Sequence, residues 1–253
     1  MILTKPTLLK RHRTAFLDTG YLVLRQAFRP PEVDEMARWA DELLERPERP
    51  GSHWVYWEPS LLEPGRKVVS RIENIAPFHE GFRQLSEVLK GLCDELFGEP
   101  AVLFKEKINY KMPGGDGFKP HQDSQAGWEK YAKDFISVLV SIDKATVENG
   151  CLQMVRGFHR QGLYREWEPL TEQDMAEMQF FPCPTDKGDI VMFDSYTPHA
   201  SAPNRSNSVR RIYFATYNRL SAGDHRAAYY ADKHQSYPPD IEREPGKEYV
   251  FRV

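Results

Sequence analysis

Hydrophobic positions change their spacing near residue 100. Upstream they recur at three and four residues. Val33, Met36, Ala40, Leu43 and Leu44 form one helical face, bordered by Trp39, in a helix opened by Pro30-Pro31 and stopped before Pro47. Phe82, Leu85, Val88, Leu89 and Leu92 form another over 80–97. A shorter helix over 5–18 ends at Gly20, and Tyr21–Leu24 reads as a strand. The Pro- and Gly-rich stretch 46–66 reads as a loop whose Trp54, Tyr56 and Trp57 pin it to the core or line a pocket.

After Pro100 the period falls to two. Val102, Phe104, Glu106 and Ile108 alternate with Leu103, Lys105, Lys107 and Asn109 across a strand at 101–110. Breakers at 112–117 make a turn. The apolar run 135–142 reads as a buried strand, and further strands follow at 151–155, 190–193 and 209–220, separated by turns at 148–150, 188–189 and 204–208. The charged segment 160–182 is a surface insertion, and the polar tail 221–253 wraps the surface. Helices before strands predict a mainly β fold with flanking helices, an antiparallel barrel or jelly roll. The expected organisation is one domain over 1–253: a mostly helical flank (1–100), a jelly-roll core (101–220) and a wrapping tail (221–253).

Composition narrows the function. With 40% hydrophobic residues the chain can bury a core, and a net charge of −3 from 34 basic and 37 acidic residues argues against a nucleic-acid partner. No apolar run is long enough for a membrane span, and the start lacks a secretory pattern. Cys93, Cys151 and Cys183 are odd in number and widely spaced, so a reduced, cytoplasmic protein is expected.

The candidate chemistry lies at Pro120-His121-Gln122-Asp123. In an extended backbone, residues two apart face the same way, so His121 and Asp123 offer an imidazole and a carboxylate to one point. This is two thirds of the 2-His-1-carboxylate triad that holds non-haem Fe(II). Taken alone, it also suits a loop His bonded to an Asp. Of the later histidines, His225 and His234 fall in the tail, while His159 and His199 follow strands. Eleven residues beyond His199 stands Arg210, on a strand expected to pair with that of His199. A guanidinium there can clamp a carboxylate bidentately.

The order Phe16-x-x-x-Gly20-Tyr21, Phe28-Arg29-Pro30, Pro120-His121-Gln122-Asp123, Glu148-Asn149-Gly150-Cys151-Leu152, Gly157-Phe158-His159, Gly188-Asp189, Phe193-Asp194, Pro198-His199-Ala200-Ser201 and Arg210 resembles the phytanoyl-CoA dioxygenase-like family of Fe(II)/2-oxoglutarate oxygenases. The resemblance implies a double-stranded β-helix of cupin type. It implies iron on His121, Asp123 and His199, with 2-oxoglutarate anchored by Arg210 and Ser201 and contacted near Lys107. O2 is the other co-substrate, and succinate and CO2 leave. His159 is read as structural. Halogenating relatives lack the carboxylate, so Asp123 favours hydroxylation over halogenation and leaves desaturation, epoxidation or ring chemistry open.

Candidate substrate contacts are Lys105, Asn109, Tyr110, Gln125, Trp128 and Tyr131. Two cations among aromatics suit a small molecule bearing an anion and an amine. The segment Phe104–Trp128 resembles that of small bacterial members acting on aminoalkylphosphonates. No extra basic stretch suggests an acyl-CoA substrate. Competing expectations are a jelly-roll binding module without redox chemistry, an isomerase or hydrolase with another divalent metal, and an oxygenase doing desaturation or ring chemistry. Oligomeric state is not expressed in the sequence.

Overall fold

The computed structural model describes residues 2–251. Eleven strands form two antiparallel sheets: β1 (Tyr21–Leu24), β2 (Trp54–Pro59), β3 (Lys67–Glu73), β4 (Ala101–Lys111), β5 (Phe118–His121), β6 (Phe135–Ser141), β7 (Leu152–Met154), β8 (Phe181–Cys183), β9 (Ile190–Asp194), β10 (His199–Ser201) and β11 (Arg210–Arg219). The large sheet runs β1-β9-β6-β11-β4-β3-β2 and the small one β5-β10-β7-β8. This is the expected jelly-roll architecture.

β6 is buried at every position, because both faces of the large sheet are covered. On one face Ile136, Val138 and Val140 pack with the helices α1 (Lys10–Thr19), α2 (Pro30–Glu45) and α3 (Glu80–Phe97). On the other, Leu139 joins Leu152, Met154, Phe193 and Ile212 between the sheets. The helix layer is tied down by buried hydroxyls. Tyr110 donates to the Ala40 carbonyl at 2.7 Å, Tyr217 donates to the Ser86 carbonyl at 2.7 Å, and Tyr213 pairs with the Ser86 hydroxyl at 2.7 Å.

Several expectations are corrected. α1 begins at Lys10, not residue 5, and ends on the left-handed Gly20 (φ 84°). The stretch 46–66 is not loop throughout: it contains β2, which pairs with the unanticipated β3. The alternation there is masked because Trp54, Val55 and Tyr56 are buried in succession, on both faces. Three strands thus belong to the first hundred residues, and the helical flank is also sheet.

On β4, the register slips opposite Thr216/Tyr217, a bulge that leaves Phe104 without a ladder partner. Phe104 leaves the Ile108 row and packs instead against Trp128, Phe135 and Tyr229 at centroid distances of 5.5, 4.7 and 4.5 Å. Truncating such a buried ring costs about 3–5 kcal/mol.

The tail does more than wrap. It folds as α4 (Arg226–Ser236), anchored by the buried Tyr229 and Tyr230 and by Arg226 paired with buried Glu106. No helix among the described residues is long and apolar enough to cross a membrane.

Candidate active site

Strand pairing brings the two histidines together. β10 runs antiparallel to β5 with His199 directly opposite His121. The chain stays extended through Gln122 and then turns into a 3-10 segment at Asp123. Gln122 faces away from its neighbours and is locked. Its Nε2 donates to the Gly162 and Tyr196 carbonyls at 2.8 and 2.7 Å, and its Oε1 accepts from the Tyr164 amide at 2.9 Å. With the middle residue fixed backwards, His121 and Asp123 are committed forwards.

Ligand atoms of His121, Asp123 and His199 all lie within 4.8 Å of one another. Their orientations suit a cation. Nδ1 of His121 faces the Lys119 carbonyl at 2.6 Å and Nδ1 of His199 faces the Thr197 carbonyl at 3.0 Å. Each Nδ1–H is thereby spent on backbone, which leaves the Nε2 lone pairs free. Burial drives both imidazoles down from their ordinary value, so the rings are neutral. Burial pushes the Asp123 carboxyl up, but His199, Lys105, His121 and the Ser137 hydroxyl together hold it below its usual value. Ser137 on β6 donates to Asp123 Oδ2 at 2.6 Å, and Phe193 packs on the His199 ring at a centroid distance of 4.7 Å. Two neutral imidazoles and an oriented carboxylate fit the donor set of a hard-to-borderline divalent metal with positions left open.

A narrow cleft runs from this triad to Arg210, past Lys107, Asn109, Leu152, Ser201 and Phe214. Arg210 is buried; it donates from Nη1 to the Gly150 carbonyl at 3.0 Å, and its Nε has no partner among the described residues. Burial lowers its pKa to about 10. Such a guanidinium is incompletely satisfied by protein and fits a ligand carboxylate. The expected pairing of the Arg210 and His199 strands does not occur. β11 pairs with β4 and β6 in the large sheet, so Arg210 reaches the cleft from the wall opposite β10.

Lys111 faces Arg210 across the β4–β11 ladder and was not anticipated. Its Nζ donates to Ser201 Oγ at 2.8 Å and the Ala202 carbonyl at 2.6 Å. Burial, then the charge of Arg210, lowers it to about 6. The signal was present: Lys105, Lys107, Asn109 and Lys111 lie two apart on one strand face. Ser137 had no such signal, since it sits in a uniformly buried run.

Beyond the triad opens a cavity of about 720 Å³, lined by Lys105, Lys107, Trp128, Tyr131, Trp167 and Tyr229 among others. Lys105 Nζ stands 4.3 Å from the Trp128 ring centroid and 5.7 Å from that of Tyr229. Lys107 Nζ lies 5.5 and 5.1 Å from Phe118 and Phe214. Burial lowers both lysines, Lys107 to about 7. The outer wall comes from the tail: Lys233, paired with buried Glu73 at 2.5 Å, and Phe251, whose ring lies 4.2 Å from the Arg71 guanidinium.

Of the candidate substrate contacts, Lys105, Trp128 and Tyr131 line the outer cavity and Asn109 lines the inner cleft. Two candidates are corrected. Tyr110 points into the helix-facing core, because its neighbours Asn109 and Lys111 take the cleft face. Gln125 is consumed as a brace, its Oε1 accepting from the Gln122 amide at 2.6 Å and its Nε2 donating to the Glu168 carbonyl at 2.8 Å. Trp54, Tyr56 and Trp57 do not line the cavity. Trp54 packs on Tyr230 and Tyr56 stacks on Tyr237. His225 and His234 are engaged elsewhere, with the Ala222 carbonyl and with Glu242.

Comparison with known proteins agrees with this geometry. The family model for phytanoyl-CoA dioxygenase (PhyH) matches residues 16–212. A 2-aminoethylphosphonate dioxygenase from an uncultured bacterium is 39% identical over 245 residues, covering 95% of this chain and 93% of that protein. A methylphosphonate hydroxylase from Gimesia maris is 36% identical over 225 residues, covering 87% of this chain and 84% of that protein. The fold is shared with EctD from S. alaskensis, crystallised with 2-oxoglutarate and 5-hydroxyectoine, at a TM-score of 0.74 and 23% identity over 85% of this chain and 77% of that one. From the match over most of its length and from these relatives, the chain belongs to the phytanoyl-CoA dioxygenase family of Fe(II)- and 2-oxoglutarate-dependent oxygenases.

Proposed function

We propose that His121, Asp123 and His199 hold Fe(II), that Arg210 and Ser201 receive the distal carboxylate of 2-oxoglutarate, and that the outer cavity, with Lys105 and Lys107 on its wall, takes a small aminoalkylphosphonate for C–H hydroxylation. The observation that carries this reading is the convergence of three donors within 4.8 Å at one end of a cleft whose other end is an incompletely satisfied, buried guanidinium. When bound, the iron supplies O2 activation coupled to decarboxylation of 2-oxoglutarate to succinate and CO2. The chain's own part is orientation. The Lys119 and Thr197 carbonyls set the imidazoles, Ser137 sets the carboxylate, and Lys111 donates to Ser201 so that the serine hydroxyl hydrogen remains free for the co-substrate. Asp123 fills the carboxylate position, which supports hydroxylation over halogenation.

The aminoalkylphosphonate assignment draws on the cationic, aromatic cavity and on similarity to a protein named for 2-aminoethylphosphonate. The test is anaerobic addition of Fe(II) and 2-oxoglutarate, which is expected to give the visible absorption of their chelate, followed by O2 and 2-aminoethylphosphonate with succinate measured. His199→Ala is expected to lose both signals. A wild-type protein that shows neither absorption nor succinate release overturns the reading.

A further inference from the structure

Two lysine amines in the substrate cavity have no direct ion-pair partner among the described residues. Among the described residues, neither Lys105 nor Lys107 has a carboxylate within ion-pair distance, nor a hydrogen bond from its Nζ. Their neighbours are aromatic faces: Trp128 and Tyr229 at Lys105, Phe118 and Phe214 at Lys107. Such faces stabilise a cation without neutralising it. Lys233, also on the cavity wall, differs in being matched by Glu73 at 2.5 Å, and Glu73 is shared with Arg71 at 2.7 Å.

Asp123 and Glu73 act on the pair only from beyond ion-pair distance, and both are already committed, Asp123 to the triad and Glu73 to Lys233 and Arg71. With Fe(II) on the triad, Asp123 leaves a single positive charge at the metal. The two carboxylates of 2-oxoglutarate and the Arg210 guanidinium cancel it. Lys105 and Lys107 then remain side by side on one face of β4, two amines whose protonated form burial disfavours and a bound anion would favour. Buried charges demand partners, and an anionic group of the substrate would supply one at ion-pair distance.

We infer that Lys105 and Lys107 form a cradle that selects a dianionic headgroup over a monoanionic one. The inference deepens the proposed function and rests on it: it names the charge state by which this cavity reads its substrate. A phosphonate, like a phosphate monoester, carries about −1.5 to −2 near neutral pH, whereas a carboxylate or a sulfonate carries one negative charge. Shape alone separates 2-aminoethylphosphonate poorly from 2-aminoethanesulfonate. The cradle separates them by leaving one lysine uncompensated under the sulfonate.

The test is equilibrium binding, under nitrogen, to protein loaded with Fe(II) and 2-oxoglutarate. Three ligands are compared by calorimetry: 2-aminoethylphosphonate, 2-aminoethanesulfonate and 3-aminopropanoate. The phosphonate is expected to bind on the order of 10²-fold more tightly than either monoanion. Lys105→Met is expected to remove most of that preference by weakening the phosphonate, with the monoanions changed about threefold or less. Lys105→Arg is expected to retain the preference. The visible absorption of the loaded protein and its melting temperature establish that Lys105→Met is folded and loaded. Equal binding of phosphonate and sulfonate by the wild type overturns the cradle while the proposed substrate stands. An equal loss for all three ligands in Lys105→Met overturns it too. Absence of phosphonate binding to wild-type protein that shows the absorption removes the proposed substrate, and the cradle with it.

Discussion

His199 sits directly across the β10–β5 ladder from His121, with ring centroids 4.2 Å apart. Directly opposed residues on antiparallel strands have their side chains on the same face. That single pairing therefore converts a local His-x-Asp into a three-donor site.

Ser137 is the support on which Asp123 depends. Its hydroxyl donates to Oδ2 at 2.6 Å and shares a 3.0 Å contact with Thr216 Oγ1. Removing such an outer partner typically weakens metal binding 10–100-fold (about that range). Ser137→Ala is expected to raise the Fe(II) dissociation constant by a similar factor, with a small change in melting temperature. Anaerobic Fe(II) titration measures it, and unchanged affinity would show that the carboxylate needs no brace.

Arg210 is expected to matter for 2-oxoglutarate alone. Losing one partner of a buried charge-assisted pair costs about 2–5 kcal/mol, on the order of 10²–10³-fold in affinity. Arg210→Met should raise the KM for 2-oxoglutarate by that order and leave Fe(II) binding near wild type. Arg210→Lys should recover only part, since a point charge replaces a planar fork. Steady-state kinetics against 2-oxoglutarate decides it.

Gly150 links the fold to the same cleft. Its φ of +76° suits glycine, and a Cβ there would lie 2.1 Å from the Ala202 carbonyl oxygen. Its own carbonyl accepts from Arg210. Gly150→Ala is expected to cost at least about 1–3 kcal/mol and to weaken 2-oxoglutarate binding through the displaced guanidinium. Urea unfolding and 2-oxoglutarate titration read the two effects separately.

Glu32 gives the pH dependence of stability a sign. Burial would raise its pKa, but Arg29, through its guanidinium and its amide, and Thr4 hold the carboxyl down to about 2. The unfolded chain takes up this proton near the ordinary value of 4.5, before the native state does. Stability from Glu32 is therefore complete above about pH 4.5 and is lost as pH falls towards 2. Glu32→Gln should cost about 1–3 kcal/mol at neutral pH, with the gap from wild type closing across that window. Urea midpoints recorded against pH test this, and a gap constant with pH would refute it.

Much of the fold was legible where one face of an element is apolar. The spacing in α2 and α3, and the alternation in β4, follow from helix and strand pitch. β2 was illegible because Trp54, Val55 and Tyr56 are buried in succession, on both faces, and α4 because two adjacent tyrosines anchor an otherwise polar helix. Tyr110 and Gln125 have the chemistry of pocket residues. Their roles were decided by β4 facing and by a hydrogen-bonded turn.

What the sequence by itself determined is therefore local: the donor types at His121 and Asp123, their shared facing, and the row of lysines along β4. Each follows from a two-residue repeat that the backbone imposes. Only the tertiary structure decided that His199 meets them, that Arg210 arrives from the opposite sheet, and that α4 walls the cavity. Those relations depend on which strands pair and in what register, and register is set by packing between segments far apart in the chain.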